Sequence, residues 1–285
     1  MPSWQRADHE YSSGAWGTVE YPGRSGLLPL GRFRFATCAG SDRRCATHSF
    51  TLGQLLYTGE APPSPGVAPP AHPSLRPNAA WLYVEAAERD SVGATIDEYR
   101  LAVGVVGPPA LGGPLQRFFH FIGPLYPRPV DWSRQLPFEP GFIASMERTR
   151  IVSAFGDSTH VNGAFLARGG ASIGTILTGV TAGGSASVSI PLRGAPESGY
   201  WPTVVFSADV AVHGVLRDES LDGTLFRSSD HVEKNWVYDQ ERASLALRWS
   251  RITVAYRATR AGLQYRLQQA PTAWGTLAAE IRLGR

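Results

Sequence analysis

The chain has 285 residues, of which 43% are hydrophobic and 18% charged, enough apolar material for a large packed domain and too much for a disordered chain. Its formal charge of +3 rests almost wholly on arginine, since Lys234 is the single lysine; phosphate or carboxylate recognition by rigid guanidinium forks and a plainly solvated basic surface both stay open. No run of about 18 apolar residues is present for a spanning helix, and no GxxxxGK[ST] loop, CxxC pair or zinc-spaced His/Cys cluster supports a P-loop NTPase or a zinc-finger nucleic-acid binder.

The chain opens on "MPSWQRADHEYSSG", which has no apolar core of a secretory signal. Segments 14–21, 30–37 and 47–57 then read as strands, and the loop "TCAGSDRRCAT" between the last two holds Cys38 and Cys45. A disulfide in an oxidising compartment and two free thiols both fit that loop. "TGEAPPSPGVAPPAHPSLRPNAA" (58–80) is proline-rich and reads as an irregular extended loop. Strands follow at 80–88 and 97–106, the second carrying Glu98 and Arg100 among apolar residues.

At "LGGPLQRFFHFIGP" (111–124) the period changes. Leu111, Leu115, Phe118, Phe119 and Ile122 recur at spacings of three and four, which is one apolar stripe of a helix. Pro114 suits the first turn because it has no N–H to leave unbonded. Gln116 and His120 are four apart and share a face. The expected element is a short amphipathic helix that packs its greasy side on a wall and presents Gln116 and His120 beside it. An imidazole held there is a candidate general base, or else it simply satisfies a backbone carbonyl. His9, His48, His72, His160, His213 and His231 lack such a setting; most read as loop or strand-surface residues.

Further strands are expected at 142–152, 171–178, 185–192, 203–214 and 235–241, then through "RASLALRWSRITVAYRATR" and "GTLAAEIRLG". In the last of these Leu277, Ala279, Ile281 and Leu283 fall on one face, with Thr276, Ala278, Glu280 and Arg282 on the other. With 31 Gly, 22 Pro and 11% aromatics, the class is all-β. Several strands reach the roughly 9 to 11 residues that cross a bilayer when tilted. Asp209, Arg248 and Glu280 place charge within otherwise apolar strands, as Glu98 and Arg100 do, and Trp81, Tyr83, Tyr200, Trp201, Trp236, Tyr238 and Trp274 sit near strand ends. A transmembrane barrel with a polar interior explains this better than a soluble β-sandwich, which needs shorter strands and polar outer faces.

Seven blocks in order, "ADHEYSSG", "LGQLLYTGE", "RPNAAWLYVEA", "GVVGPPALGGPLQRFFHFIG", "DWSRQLPFEPG", "GGASIGTILTGVTAGGSASV" and "RDESLDGTLFRSS", resemble the lipid A 3'-O-deacylase family of outer-membrane enzymes. The resemblance runs from Asp8 to the last strand. It implies an antiparallel barrel of about twelve strands, with the active site between the inner barrel wall and a helix on the outer-leaflet side. The family's helix histidine falls on His120 and its glutamine on Gln116; the implied chemistry is activation of water by His120 for attack on the acyl ester of lipopolysaccharide, with calcium stabilising the oxyanion. The family's tyrosine-threonine pair falls on Tyr11 and Ser12, and arginines such as Arg76 or Arg117 are candidates for the lipid A phosphates. Two departures accompany it. The family's first strand, with an asparagine-aspartate pair, has no counterpart, which suggests a chain lacking its signal peptide and first strand. The acidic residue after the helix falls near Leu125, with Asp131 or Glu139 as substitutes. A barrel of the same family that has lost catalysis and serves as a structural or binding protein is the second reading.

Overall fold

The computed structural model describes residues 13–22, 44–59, 76–122, 132–156, 160–192, 202–249, 252–268 and 270–281. Eleven strands form one sheet: β1 (Ser13–Pro22), β2 (Arg44–Tyr57), β3 (Ala79–Val92), β4 (Thr95–Val106), β5 (Glu139–Phe155), β6 (Asn162–Gly174), β7 (Leu177–Pro191), β8 (Thr203–Asp218), β9 (Val237–Trp249), β10 (Ile252–Ala261) and β11 (Thr272–Ile281). Each pairs antiparallel with its sequence neighbour, in the order β1 to β11. Twelve strands were expected and eleven are present among the described residues; the expected strand at 30–37 lies outside them. The sheet curls, because Trp16 and Thr18 of β1 line the same interior cavity as Trp274 and Thr276 of β11.

Alternation along the strands decides what faces where. On β8, Phe206, Val210, Val212 and Leu216 point out and are exposed, whereas Asp209, Ala211 and His213 point in. The same outward set recurs as Leu52, Val84, Val103, Phe165, Ile173, Leu247 and Val254. A water-soluble sheet would bury such a face under a second layer; here no second layer covers it among the described residues, and an acyl-chain solvent is the environment that matches it. Val210→Arg, on the outward face midway along β8, is therefore expected to lower stability in lipid vesicles by about 2–4 kcal/mol. Urea unfolding followed by gel migration reads that loss, and an unchanged midpoint would remove the membrane-facing assignment.

Midway along the strands the charges lie inside. Arg168 on β6 donates two hydrogen bonds of 2.9 Å to the Asp209 carboxylate and one of 3.1 Å to Glu147. To reach β8 from β6 the guanidinium must pass over β7, where its register partner is Gly183, which has no side chain to block it. Arg242 adds a contact of 3.7 Å to Asp209, and Arg100 pairs with Glu98 at 2.8 Å. The expected inward placement of Glu98, Arg100 and Asp209 is thus met by a belt of ion pairs.

One expectation fails locally. The segment 171–178 is not a strand but the end of β6, a tight turn at 175–176 and the start of β7, and residues 162–170 are strand as well. Gly and Ala on both faces there erase the period-two contrast that a strand reading depends on. Of the aromatics expected near strand ends, Trp81, Tyr83, Tyr238 and Trp274 sit there and line the interior cavity; Trp236, just before β9, is exposed. Tyr200 and Trp201 lie outside the described residues.

Candidate functional site

Connections of β2 to β3, β4 to β5, β8 to β9 and β10 to β11 gather at one end of the sheet, and the chemistry-bearing side chains gather with them. The helix expected at 111–124 is α1 (Gly112–Ile122). A 3-10 turn over Pro108–Ala110 precedes it and ends on Leu111, whose φ of 57° is left-handed. Leu111 therefore stands outside the helix, exposed, and Phe118 is exposed too, so the packing stripe is narrower than its spacing suggested. The Phe119, His120 and Ile122 side chains lie outside the described residues.

What α1 packs against is Leu56, Ala80, Ala110 and Trp132, with Leu82, Val105 and its own Leu115 at the margin. Trp132 comes from a second 3-10 turn, Trp132–Arg134. Leu56, Ala80, Leu82 and Val105 lie one residue out of phase with Leu55, Trp81 and Val106, which line the cavity. The helix thus lies on the outward face of the barrel wall, not against the inner wall as expected. Contact is close: a Cβ at Gly112 would stand 2.4 Å from the Trp132 ring and 2.7 Å from Ala80 Cβ. Gln54, also outward, donates to the Ala110 carbonyl and anchors the 3-10 turn.

On α1, Gln116 is buried and its Oε1 accepts a 2.7 Å hydrogen bond from Trp132 Nε1. Backbone geometry puts His120 one turn further along the same helix face. Tyr11, Ser12, Leu125 and Asp131 lie outside the described residues. Arg117 is exposed on α1. Arg76 is buried: it donates to Gln264 Oε1 at 3.0 Å and to Ser220 Oγ at 2.6 Å, and its guanidinium lies 4.7 Å from the Tyr57 ring centre. It ties three connections together on the interior side of the wall, while Gln116 lies outside it; the structure does not bring those two residues into one cluster.

The interior side has its own polar set, in a cavity of about 590 Å³. Glu219 opens the one-turn helix α2 (Glu219–Asp222), which Asp218 caps at its start and Gly223, with φ of 75°, closes. Its carboxylate lines the cavity, is buried, and has no hydrogen-bond partner among the described residues. Burial pushes the Glu219 carboxyl up to about 8, and the neighbouring Glu139 carboxylate adds to it. From the ordinary 4.5 up to about 8 the folded chain holds a proton the unfolded chain has released, so stability falls as pH rises through that window. Glu219→Gln is expected to flatten that fall, read from urea midpoints between pH 5 and pH 9; an unchanged slope would assign it to another group.

Sequence reasoning missed Glu219, although the capping pattern of "DESLDG" was a signal for the turn that buries it. It also missed His213, which points inward, stacks 4.9 Å from Tyr238 and contacts Thr181 Oγ1 at 3.0 Å, and His48, which is buried on β2. Cys45 lies on β2 and Cys38 outside the described residues.

The positions expected near calcium, around Leu125 and at Asp131, lie outside the described residues, and among the described residues no group of three or more His, Cys, Asp or Glu lies together to hold a metal ion. Glu139 already accepts the Leu225 and Phe226 backbone N–H groups at 2.9 and 3.0 Å, so its oxygens serve that loop.

A family model described as "Outer membrane protein LpxR" matches residues 4–283. Among solved structures, LpxR from Salmonella typhimurium superposes with a TM-score of 0.72 at 17% identity, covering 96% of this chain and 90% of that one. No curated protein matches.

Proposed function

The chain belongs to the LpxR family of outer-membrane proteins, and from that premise we propose that it is a lipid A deacylase, a hydrolase that removes the acyloxyacyl chain from the 3' position. One observation carries the reading: the helix that bears Gln116 and His120 is docked on the outward, lipid-facing wall at the end where the long connections gather. A lipid ester in the outer leaflet reaches that face directly, with its acyl chains on the same surface as Val84 and Val103.

In this reading His120 takes a proton from water as the water oxygen attacks the ester carbonyl. Gln116 contributes hydrogen bonds to the ester, and Tyr11 and Ser12 hold substrate or water by their hydroxyls. Arg117, exposed on α1, is offered to a lipid A phosphate. Arg76 supports the site from behind by fixing the connection into β3, as its bonds to Ser220 and Gln264 favour.

The alternative is a family barrel without catalysis, favoured by Leu125 standing where the family has an acidic residue. Mass spectrometry of lipid A from cells producing the chain separates the two. Loss of one acyloxyacyl mass supports the hydrolase; unchanged lipid A around a correctly inserted barrel supports the inactive homologue.

A further inference from the structure

Trp132 was singled out by neither the residue pattern nor the family resemblance, yet it decides which way the Gln116 amide faces. An indole N–H donates and has no acceptor capacity. Its 2.7 Å bond to Gln116 therefore requires the amide oxygen toward Trp132 and turns Nε2 the other way. That nitrogen is buried and has no hydrogen-bond partner among the described residues, whereas buried donors in folded proteins are nearly always paired. The ring cannot easily give up the arrangement, because it is wedged against Gly112, Ala80 and Leu56. An unpaired donor, locked in orientation one helical turn from His120, suits an acceptor brought in by a ligand.

We propose that Trp132 is a positioning residue that holds the Gln116 amide so that its Nε2–H donates to the carbonyl oxygen of the bound ester. The inference rests on the deacylase reading and names the group that meets the developing charge. As water adds to the carbonyl carbon and yields a proton to His120, the C=O electron pair moves onto the oxygen facing Nε2. When the C=O bond re-forms, the bond to the sugar oxygen breaks and the leaving alcohol takes the proton. A donor fixed in advance strengthens as that oxygen becomes anionic, so its effect falls on kcat.

The test compares the wild type with Gln116→Met, Gln116→Glu and Trp132→Phe on lipid A, reading kcat, KM and the urea midpoint. Gln116→Met keeps volume without a donor; Gln116→Glu keeps the acceptor for Trp132 but presents oxygen where Nε2 stood. Each is expected to lower kcat by about 100-fold with KM little changed. Trp132→Phe keeps the ring but frees the amide, and about a 10-fold loss of kcat is expected with a near wild-type midpoint. Wild-type kcat in Trp132→Phe or in either Gln116 variant, or losses confined to KM or to the midpoint, would overturn the inference while leaving the deacylase reading standing. A wild-type barrel that is inserted but hydrolyses no lipid A overturns both.

Discussion

Replacing His120 with alanine is expected to reduce lipid A deacylation by at least about a hundredfold, the contribution typical of a positioned general base, while the barrel still inserts and folds. Described residues other than His120 supply contacts that hold α1. The helix is fixed by Leu115 against Leu56, Ala80 and Trp132, by the glycine contact at Gly112 and by the Trp132–Gln116 hydrogen bond. Alanine near the end of an eleven-residue helix is the most favourable replacement for helicity. Lipid A mass spectra give the activity, and the shift in gel migration on heating gives the fold. A variant that still removes the acyloxyacyl group would end the assignment of His120 as the base. A variant that loses both activity and heat-modifiable migration would show that the position is structural.

The largest expected effect on stability is at Asp209. Its two oxygens take both hydrogen bonds from Arg168 at 2.9 Å, and Arg242 stands 3.7 Å away. The carboxylate and Arg168 are mostly buried inside the sheet, with side chains 16% and 12% exposed. Asp209→Ala would leave Arg168 only the partly exposed Glu147 and leave Arg242 facing another guanidinium, at a cost of about 3 kcal/mol. Double replacement with Arg168→Met should restore part of that loss, because both members of the pair are then gone. Urea midpoints in lipid vesicles measure both. A single variant within about 0.5 kcal/mol of wild type would mean that interior water screens the belt and that it contributes little to stability.

Legibility in the sequence followed side-chain contrast. Around β8 to β10 the alternation of large apolar with polar residues marked the strands well: Leu245, Leu247, Val254 and Tyr256 turn out as that pattern requires. Around β6 and β7 the contrast vanished, since Gly169, Gly170, Gly183 and Gly184 carry no side chain to report a face. Of the candidate site, α1 and the shared face of Gln116 and His120 followed from spacing. Trp132, 16 residues beyond Gln116, and Glu219, far off in the chain, have no local period that ties them to it.

By itself the sequence determined the all-β class, the outward apolar and inward charged faces, and the short amphipathic helix, because each is set by periods of two or 3.6 residues within one segment. Only the tertiary structure decided which side of the wall that helix occupies. Leu56, Ala80 and Leu82 on one surface and Leu55, Trp81 and Val106 on the other are apolar at the same end of the sheet, so α1 has a greasy partner on either side. Aromatic and polar side chains from distant parts of the chain, among them Tyr57, Glu219 and Tyr238, line a cavity on the interior side, and the helix packs on the outward one.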